Sequence, residues 1–276
     1  QFVQGIAIAG LAASTGLKAQ PVKYAPDLTQ IPHLKGTQFD LVVDEKTINI
    51  TGKSRIATVI NGSLPAPVLY FKEGDTVTIR VTNRLKEDTS IHWHGLLLPF
   101  NMDGVPGISF EGIKSGQTFT YQFPIIQNGT YWYHSHSGFQ EQTGMMGAII
   151  IEPRDGESIK TDRDHVIMLS DWTDANPMSL LSRLKMESGF DNYQQPTARQ
   201  FFADIKKNGW QKAVNDRKMW NQMRMVPTDF TDLSAHTFTY LMNGVNPESN
   251  WTGLFNAGEK IRLRFINGSA QTIFDV

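Results

Sequence analysis

Two distant stretches of the chain carry the same structural signals in the same order. In the first, Ile60-Asn61-Gly62 precedes Glu73-Gly74-Asp75, the alternating run Thr76-Val77-Thr78-Ile79-Arg80-Val81-Thr82 and a closing Asn83. In the second, Met242-Asn243-Gly244 precedes Ala257-Gly258-Glu259, the alternating run Lys260-Ile261-Arg262-Leu263-Arg264-Phe265 and a closing Asn267. Each copy has an Asn-Gly turn, a turn made by Gly beside an acid, a strand of period two and a terminal Asn. Chance could supply one of these features; the ordered set predicts two duplicated β domains.

The text around the copies agrees. Residues 36–153 read as β throughout, with strand candidates Phe39-Asp40-Leu41-Val42-Val43, Phe119-Thr120-Tyr121-Gln122-Phe123 and the buried-strand run Gly147-Ala148-Ile149-Ile150-Ile151. Gly, Pro and Asn punctuate the gaps between them, as in a sandwich or barrel. A second domain is expected over 162–276. Leu180, Leu181, Leu184, Phe201, Phe202 and Ile205 recur within it at roughly helical spacing, which predicts a surface-lying helical insertion over about 178–225. β character returns at Thr237-Phe238-Thr239-Tyr240-Leu241 and at the second alternating run.

Where the first copy runs on to Ile91-His92-Trp93-His94, the second reaches Ile273-Phe274-Asp275-Val276, so it keeps the scaffold without a matching histidine pair. The sequence stops there in mid-strand, and the expectation is a fragment of a longer protein with its second domain incomplete.

Residues 1–19 differ from the rest. Ile6-Ala7-Ile8-Ala9-Gly10-Leu11-Ala12-Ala13 is a weakly apolar run, shorter than the about 20 residues that a spanning helix needs. It reads as the remnant of an export signal, with Leu17-Lys18-Ala19 as a poor cleavage site. No stable membrane span is expected. The formal net charge of -1 argues against a nucleic-acid partner. Nothing in the sequence indicates an oligomeric state.

Four of the seven histidines form two His-x-His pairs, His92/His94 and His134/His136. On a strand, residues i and i+2 share a face, with Cβ atoms on the order of 7 Å apart, so each pair can straddle a metal cluster or converge on one ion. Trp93 and Ser135 then face the other way. Both pairs sit in β-like text, and two neighbouring strands would bring four imidazoles together. Imidazole suits zinc, copper, iron and nickel. A mononuclear zinc site takes three histidines. A cupin-like site would use His134, His136 and Glu141, leaving the other pair unexplained. Four histidines on adjacent strands fit a multinuclear site better. The chain has no cysteine. Met219, Met223 and Met225 could bind cuprous ion as soft ligands, although helix packing is the commoner use of such methionines.

His92-Trp93-His94-Gly95 and Tyr131-Trp132-Tyr133-His134-Ser135-His136 resemble the first two copper motifs of the multicopper oxidases, and Asn101-Met102-Asp103-Gly104-Val105-Pro106 between them fits as well. Gly144-Met145-Met146-Gly147, Tyr240-Leu241-Met242-Asn243-Gly244 and Asn250-Trp251-Thr252-Gly253-Leu254-Phe255 resemble the periplasmic copper-resistance branch of that family. The resemblance implies an all-β fold of tandem cupredoxin-like Greek-key β-sandwich domains. It implies copper as cofactor, in a trinuclear cluster with His92 on the type 2 copper and His94, His134 and His136 on the type 3 pair.

The family reduces oxygen to water with electrons taken from a substrate. That makes copper ions and oxygen the expected partners and cuprous ion the expected substrate, with a laccase-like phenol oxidase or a copper-sequestering protein as alternatives. Asp103 falls where the family has an acidic proton relay, although Asp-Gly is also a common turn pair. The opening Gln1-Phe2-Val3-Gln4-Gly5 resembles the tail of a twin-arginine signal and implies periplasmic export. The type 1 copper site requires a cysteine. It is expected in sequence outside this chain, and the chain alone is expected to be inactive.

Overall fold

In the computed structural model of the chain, the structure describes residues 31–187, 197–218, 222 and 237–276. The proposed signal over 1–19 and the methionines at 219, 223 and 225 lie outside the described residues.

The first part of the described chain is a two-sheet sandwich. One sheet runs in the order β3-β2-β5-β7, formed by Ser54–Ile60, Gln38–Asn49, Thr76–Asn83 and Thr118–Pro124. The other runs β1-β4-β9-β8-β6, formed by His33–Lys35, Ala66–Lys72, Met146–Glu152, Gly129–His134 and His92–His94. Strand β5 illustrates why these residues fold this way. Its inward set Val77, Ile79 and Val81 is fully buried, while the intervening Thr76, Thr78 and Arg80 face outward. These side chains interleave with Leu41, Leu69, Phe71, Tyr121, Ile149 and Ile151 in one apolar core.

Strand β9 lacks that alternation because both of its faces are covered. Ile149 and Ile151 enter the sandwich core. Met146, Ala148 and Ile150 turn the other way, where they pack with Val68 against Val166, Met168 and Ile266. These last residues belong to a three-stranded sheet, β11-β10-β12, formed by Thr239–Met242, Arg163–Trp172 and Ile261–Asn267. A second apolar cluster joins Ile48, Ile50, Ala57, Val59 and Leu64 of the sandwich to Trp172 and Leu241.

The repeat read in the sequence is present in the hydrogen bonds. Asn61, in a left-handed conformation at φ 51°, accepts from Val42 N at 2.7 Å and donates to Asp40 O at 3.0 Å. Asn243, at φ 53°, accepts from Met168 N at 2.7 Å and donates to Val166 O at 3.0 Å. The strand arrangement repeats as well. β3 is antiparallel and β5 parallel to β2, just as β11 is antiparallel and β12 parallel to β10. The closing asparagines match too, since Asn83 accepts from Leu85 N and Asn267 from Ser269 N.

Three helices account for the helical expectation among the described residues: α1 (Pro177–Met186), α2 (Ala198–Asn208) and α3 (Trp210–Asp216). Asn176 caps α1 by accepting from Ser179 N, with Pro177 in the first turn where its missing N–H costs nothing. Thr197 caps α2 in the same way through Gln200 N. Among the described residues no helix is long and apolar enough to cross a membrane.

Candidate metal centre

Strands β6 and β8 are antiparallel neighbours, with His92 opposite His134, Trp93 opposite Tyr133 and His94 opposite Trp132. Alternation sends Trp93 into the sandwich core, where it is fully buried and meets the rings of Tyr121, Phe123 and Tyr133. The same alternation turns His92 and His94 to the opposite face, toward His134. His136 lies two residues past the end of β8, and its ring centroid is 4.7 Å from that of His92 and 5.0 Å from that of His134. All four histidines named from the sequence therefore form one cluster. One ring nitrogen from each of His92, His94 and His134 lies within 4.8 Å of the others.

The surroundings decide which nitrogen each ring offers. His92 Nδ1 is 2.8 Å from the carbonyl oxygen of Asp103. A carbonyl only accepts, so Nδ1 carries the proton and Nε2 keeps its lone pair. His134 Nδ1 is 3.1 Å from Ser135 O and 2.8 Å from a carboxylate oxygen of Glu141. The hydrogen bond to the Ser135 carbonyl, with the carboxylate close beside it, places the proton on Nδ1 and frees Nε2. That Nε2 faces Nδ1 of His94 at 3.2 Å, a spacing that either a shared proton or a metal ion satisfies. Trp132 stacks on His134 with centroids 4.1 Å apart and an interplanar angle of 13°, and on His94 at 4.9 Å and 30°. It fixes the planes of both rings.

Burial, and then the neighbouring imidazoles of His134 and His92, lower the pKa of His94 and of His136. That direction favours the neutral form, in which imidazole binds metal. A cluster of imidazole nitrogens, with His92 and His134 oriented by carbonyl acceptors and His94 by a stacked ring, fits copper.

Asp103 closes a short 3-10 turn over Phe100–Met102. Its carbonyl meets His92, while its carboxylate is 3.6 Å from the same nitrogen. Gly104 follows at φ 83°, and a Cβ there would stand 1.8 Å from the carbonyl oxygen of Ile91. Only glycine lets this loop lie against the backbone that leads into β6.

Several contributing residues were not identifiable from the sequence. Gln140 accepts from Thr89 Oγ1 and Ser135 Oγ at 2.6 and 2.9 Å and donates to Asp88 O at 2.9 Å. Ser90 Oγ accepts from His136 N at 3.0 Å. Glu141 approaches His134 on the side away from the cluster, so it stands behind a candidate ligand and outside the donor set. Of these residues only Glu141 is raised by its spacing, and then as a ligand; the contacts themselves depend on the path of the turn, which spacing does not show. His33 and His165 lie elsewhere, beside Tyr70 and Trp251 respectively, and His236 is outside the described residues.

Sandwich fold and histidine cluster together define a cupredoxin-like copper protein, and the chain belongs to the multicopper oxidase family, whose model, described as "Multicopper oxidase", matches residues 42–156. Over 275 residues the chain is 56% identical to Copper resistance protein A of Escherichia coli, covering 100% of this chain and 46% of that protein. It is 54% identical over 275 residues to Copper resistance protein A of Pseudomonas syringae pv. tomato, covering 100% of this chain and 45% of that protein. The chain thus spans slightly less than half the length of these curated relatives. Among solved structures, the blue copper oxidase from Nitrosomonas europaea is 27% identical, with a TM-score of 0.57 over 84% of this chain and 61% of that one.

Proposed function

We propose that this chain is the part of a copper-resistance oxidase that holds one half of a trinuclear copper cluster. In this reading the whole protein oxidises cuprous ion and reduces oxygen to water. The observation that carries the reading is the convergence of ring nitrogens from His92, His94 and His134 within 4.8 Å. The names of the Copper resistance protein A relatives support the physiological setting.

His92 would hold the type 2 copper, and His94, His134 and His136 would hold the type 3 pair. When bound, copper supplies the redox chemistry: four cuprous ions give up one electron each, and one oxygen molecule takes four electrons and four protons to form two waters. The chain's own residues orient the ligands and deliver protons. Asp103 is the relay, because its side chain is 35% exposed to water and lies 3.6 Å from Nδ1 of His92. The type 1 copper, which needs a cysteine, belongs to sequence outside these 276 residues. Residues 36–153 and 162–276 form the first two domains of that protein, and residues 1–19 are the remnant of a signal that takes it to the periplasm by the twin-arginine route.

Oxygen uptake by the full-length protein tests this, with cuprous ion and a phenol as alternative reductants. Rapid uptake with cuprous ion, abolished in His94→Ala, is the expected result. Faster turnover of the phenol would assign a laccase-like activity. Copper binding without oxygen uptake from either reductant would leave sequestration and sink the oxidase reading.

A further inference from the structure

We propose that Glu141 is a positioning residue, whose carboxylate holds His134 in the tautomer and orientation that present Nε2 to copper. The inference rests on reading His134 as a ligand and extends it to a residue behind the ligand. One carboxylate oxygen of Glu141 lies 2.8 Å from His134 Nδ1. The carbonyl of Ser135, at 3.1 Å, is the uncharged acceptor to which this nitrogen is hydrogen-bonded, and the Glu141 carboxylate pairs with the same nitrogen as a close ion contact. A charged acceptor binds an N–H more strongly than a neutral one and makes the imidazole a better donor to a metal.

The turn around Glu141 is built to hold it in place. Gln140, on one side, is buried at 2% exposure and tied to Thr89, Ser135 and Asp88 of the first sandwich. Gln142, on the other, is also buried and donates to the carbonyl and a carboxylate oxygen of Asp171 on β10, both at 3.2 Å. Asp171 is itself buried, and its second oxygen accepts from the backbone and hydroxyl of Thr272 at 3.0 and 2.7 Å. The turn closes on itself through Thr143 N to Phe139 O and Gly144 N to Glu141 O, both at 3.0 Å. Three consecutive side chains thus go to three places: the sandwich, His134 and the second sheet. With both flanks anchored, Glu141 meets His134 without a search through loop conformations, and the second sheet bears on the orientation of a copper ligand that it does not touch.

The test uses the full chain and two readouts. Copper(II) ion alone is titrated against a competing chelator for the wild type, Glu141→Gln, Glu141→Ala and His134→Ala. Nitrogen NMR of His134 reads which ring atom carries the proton. The wild type is expected to hold the proton on Nδ1. Glu141→Ala is expected to mix the tautomers and weaken copper(II) binding by about 10- to 100-fold. Glu141→Gln keeps an acceptor oxygen and nearly the same volume, so it should fall between the two and decides the question if the alanine variant does not fold. Unchanged tautomer and unchanged affinity in the Glu141 variants overturn the proposal. Wild-type affinity in His134→Ala would mean that the ligand reading underneath has failed, and the tautomer measurement then decides alone whether Glu141 positions the ring.

Discussion

His92 is held by the main chain of Asp103, not by its carboxylate: the ring Nδ1 sits 2.8 Å from the Asp103 carbonyl and 3.6 Å from the nearer side-chain oxygen. The two functions that could be given to this residue are therefore separable. Asp103→Asn should leave copper content unchanged and, if the carboxylate relays protons, lower oxygen reduction by about 100-fold or more. Gly104→Ala should instead lower copper content, and oxygen reduction with it. It forces a side chain into the Ile91 carbonyl at a positive φ, which should cost about 1–3 kcal/mol and displace the carbonyl that orients His92. Metal analysis and oxygen uptake on both variants check this; copper loss in Asp103→Asn would contradict it.

Trp93 points away from the clustered histidines and into the core, and its indole Nε1 has no hydrogen-bond partner. Replacing it with alanine should destabilise the chain by about 3–5 kcal/mol, the usual range for emptying a large aromatic site. Trp93→Phe removes no hydrogen bond and leaves a smaller hole, so it should cost less than half as much. Urea denaturation of the two variants gives the comparison. Equal losses would mean that the indole N–H has a partner after all.

The paired asparagines make the same two hydrogen bonds in different surroundings. Asn61 is exposed, whereas Asn243 is 3% exposed. Water can replace the lost partners at Asn61 but not at Asn243, where backbone groups of β10 would be left buried and unsatisfied. Asn243→Ala should therefore cost about 1–3 kcal/mol more than Asn61→Ala. Thermal melts of the two variants read the difference, and a larger loss at Asn61 would refute the argument.

Glu259, the acid of the second Gly-acid turn, is held down to about 2 from an ordinary value of 4.5 by hydrogen bonds from Arg163 first and then from Asn256. A carboxylate with a depressed folded value stabilises the fold above its unfolded value. That contribution is complete above about pH 4.5 and is lost as pH falls toward 2. The melting temperature of the wild type should drop more steeply across this window than that of Glu259→Gln. Parallel curves for the two proteins would exclude the pair as a source of acid sensitivity.

What could be read in advance followed from periodicity. Val77, Ile79 and Val81 announce a strand because alternate residues share a face, and the same rule places His92 with His94 on one side and Trp93 on the other. The duplicated Asn-Gly turns were legible because a left-handed bend admits few residues. Contacts made by a folded turn were not legible. Glu141 reaches His134 only through the path of the turn over 139–144, and the sequence raised it as a candidate ligand because proximity along the chain was the sole guide. The sequence singles out Asp103 by its carboxylate, whereas its carbonyl, which every residue has, makes the closer contact. The unbroken apolar run of β9 announced burial but not what covers its second face.

That second face bears on how the protein can be divided. The repeat invites a cut near Pro153, at the end of the first duplicated unit. Such a cut would strip Val166, Met168, Trp172, Leu241 and Ile266 from Val68, Ala148, Ile150, Val59 and Leu64, leaving a broad greasy wall facing water on the severed piece. The first unit closes its own strand ladders, yet a truncation that respects its strands would still yield a protein that clumps.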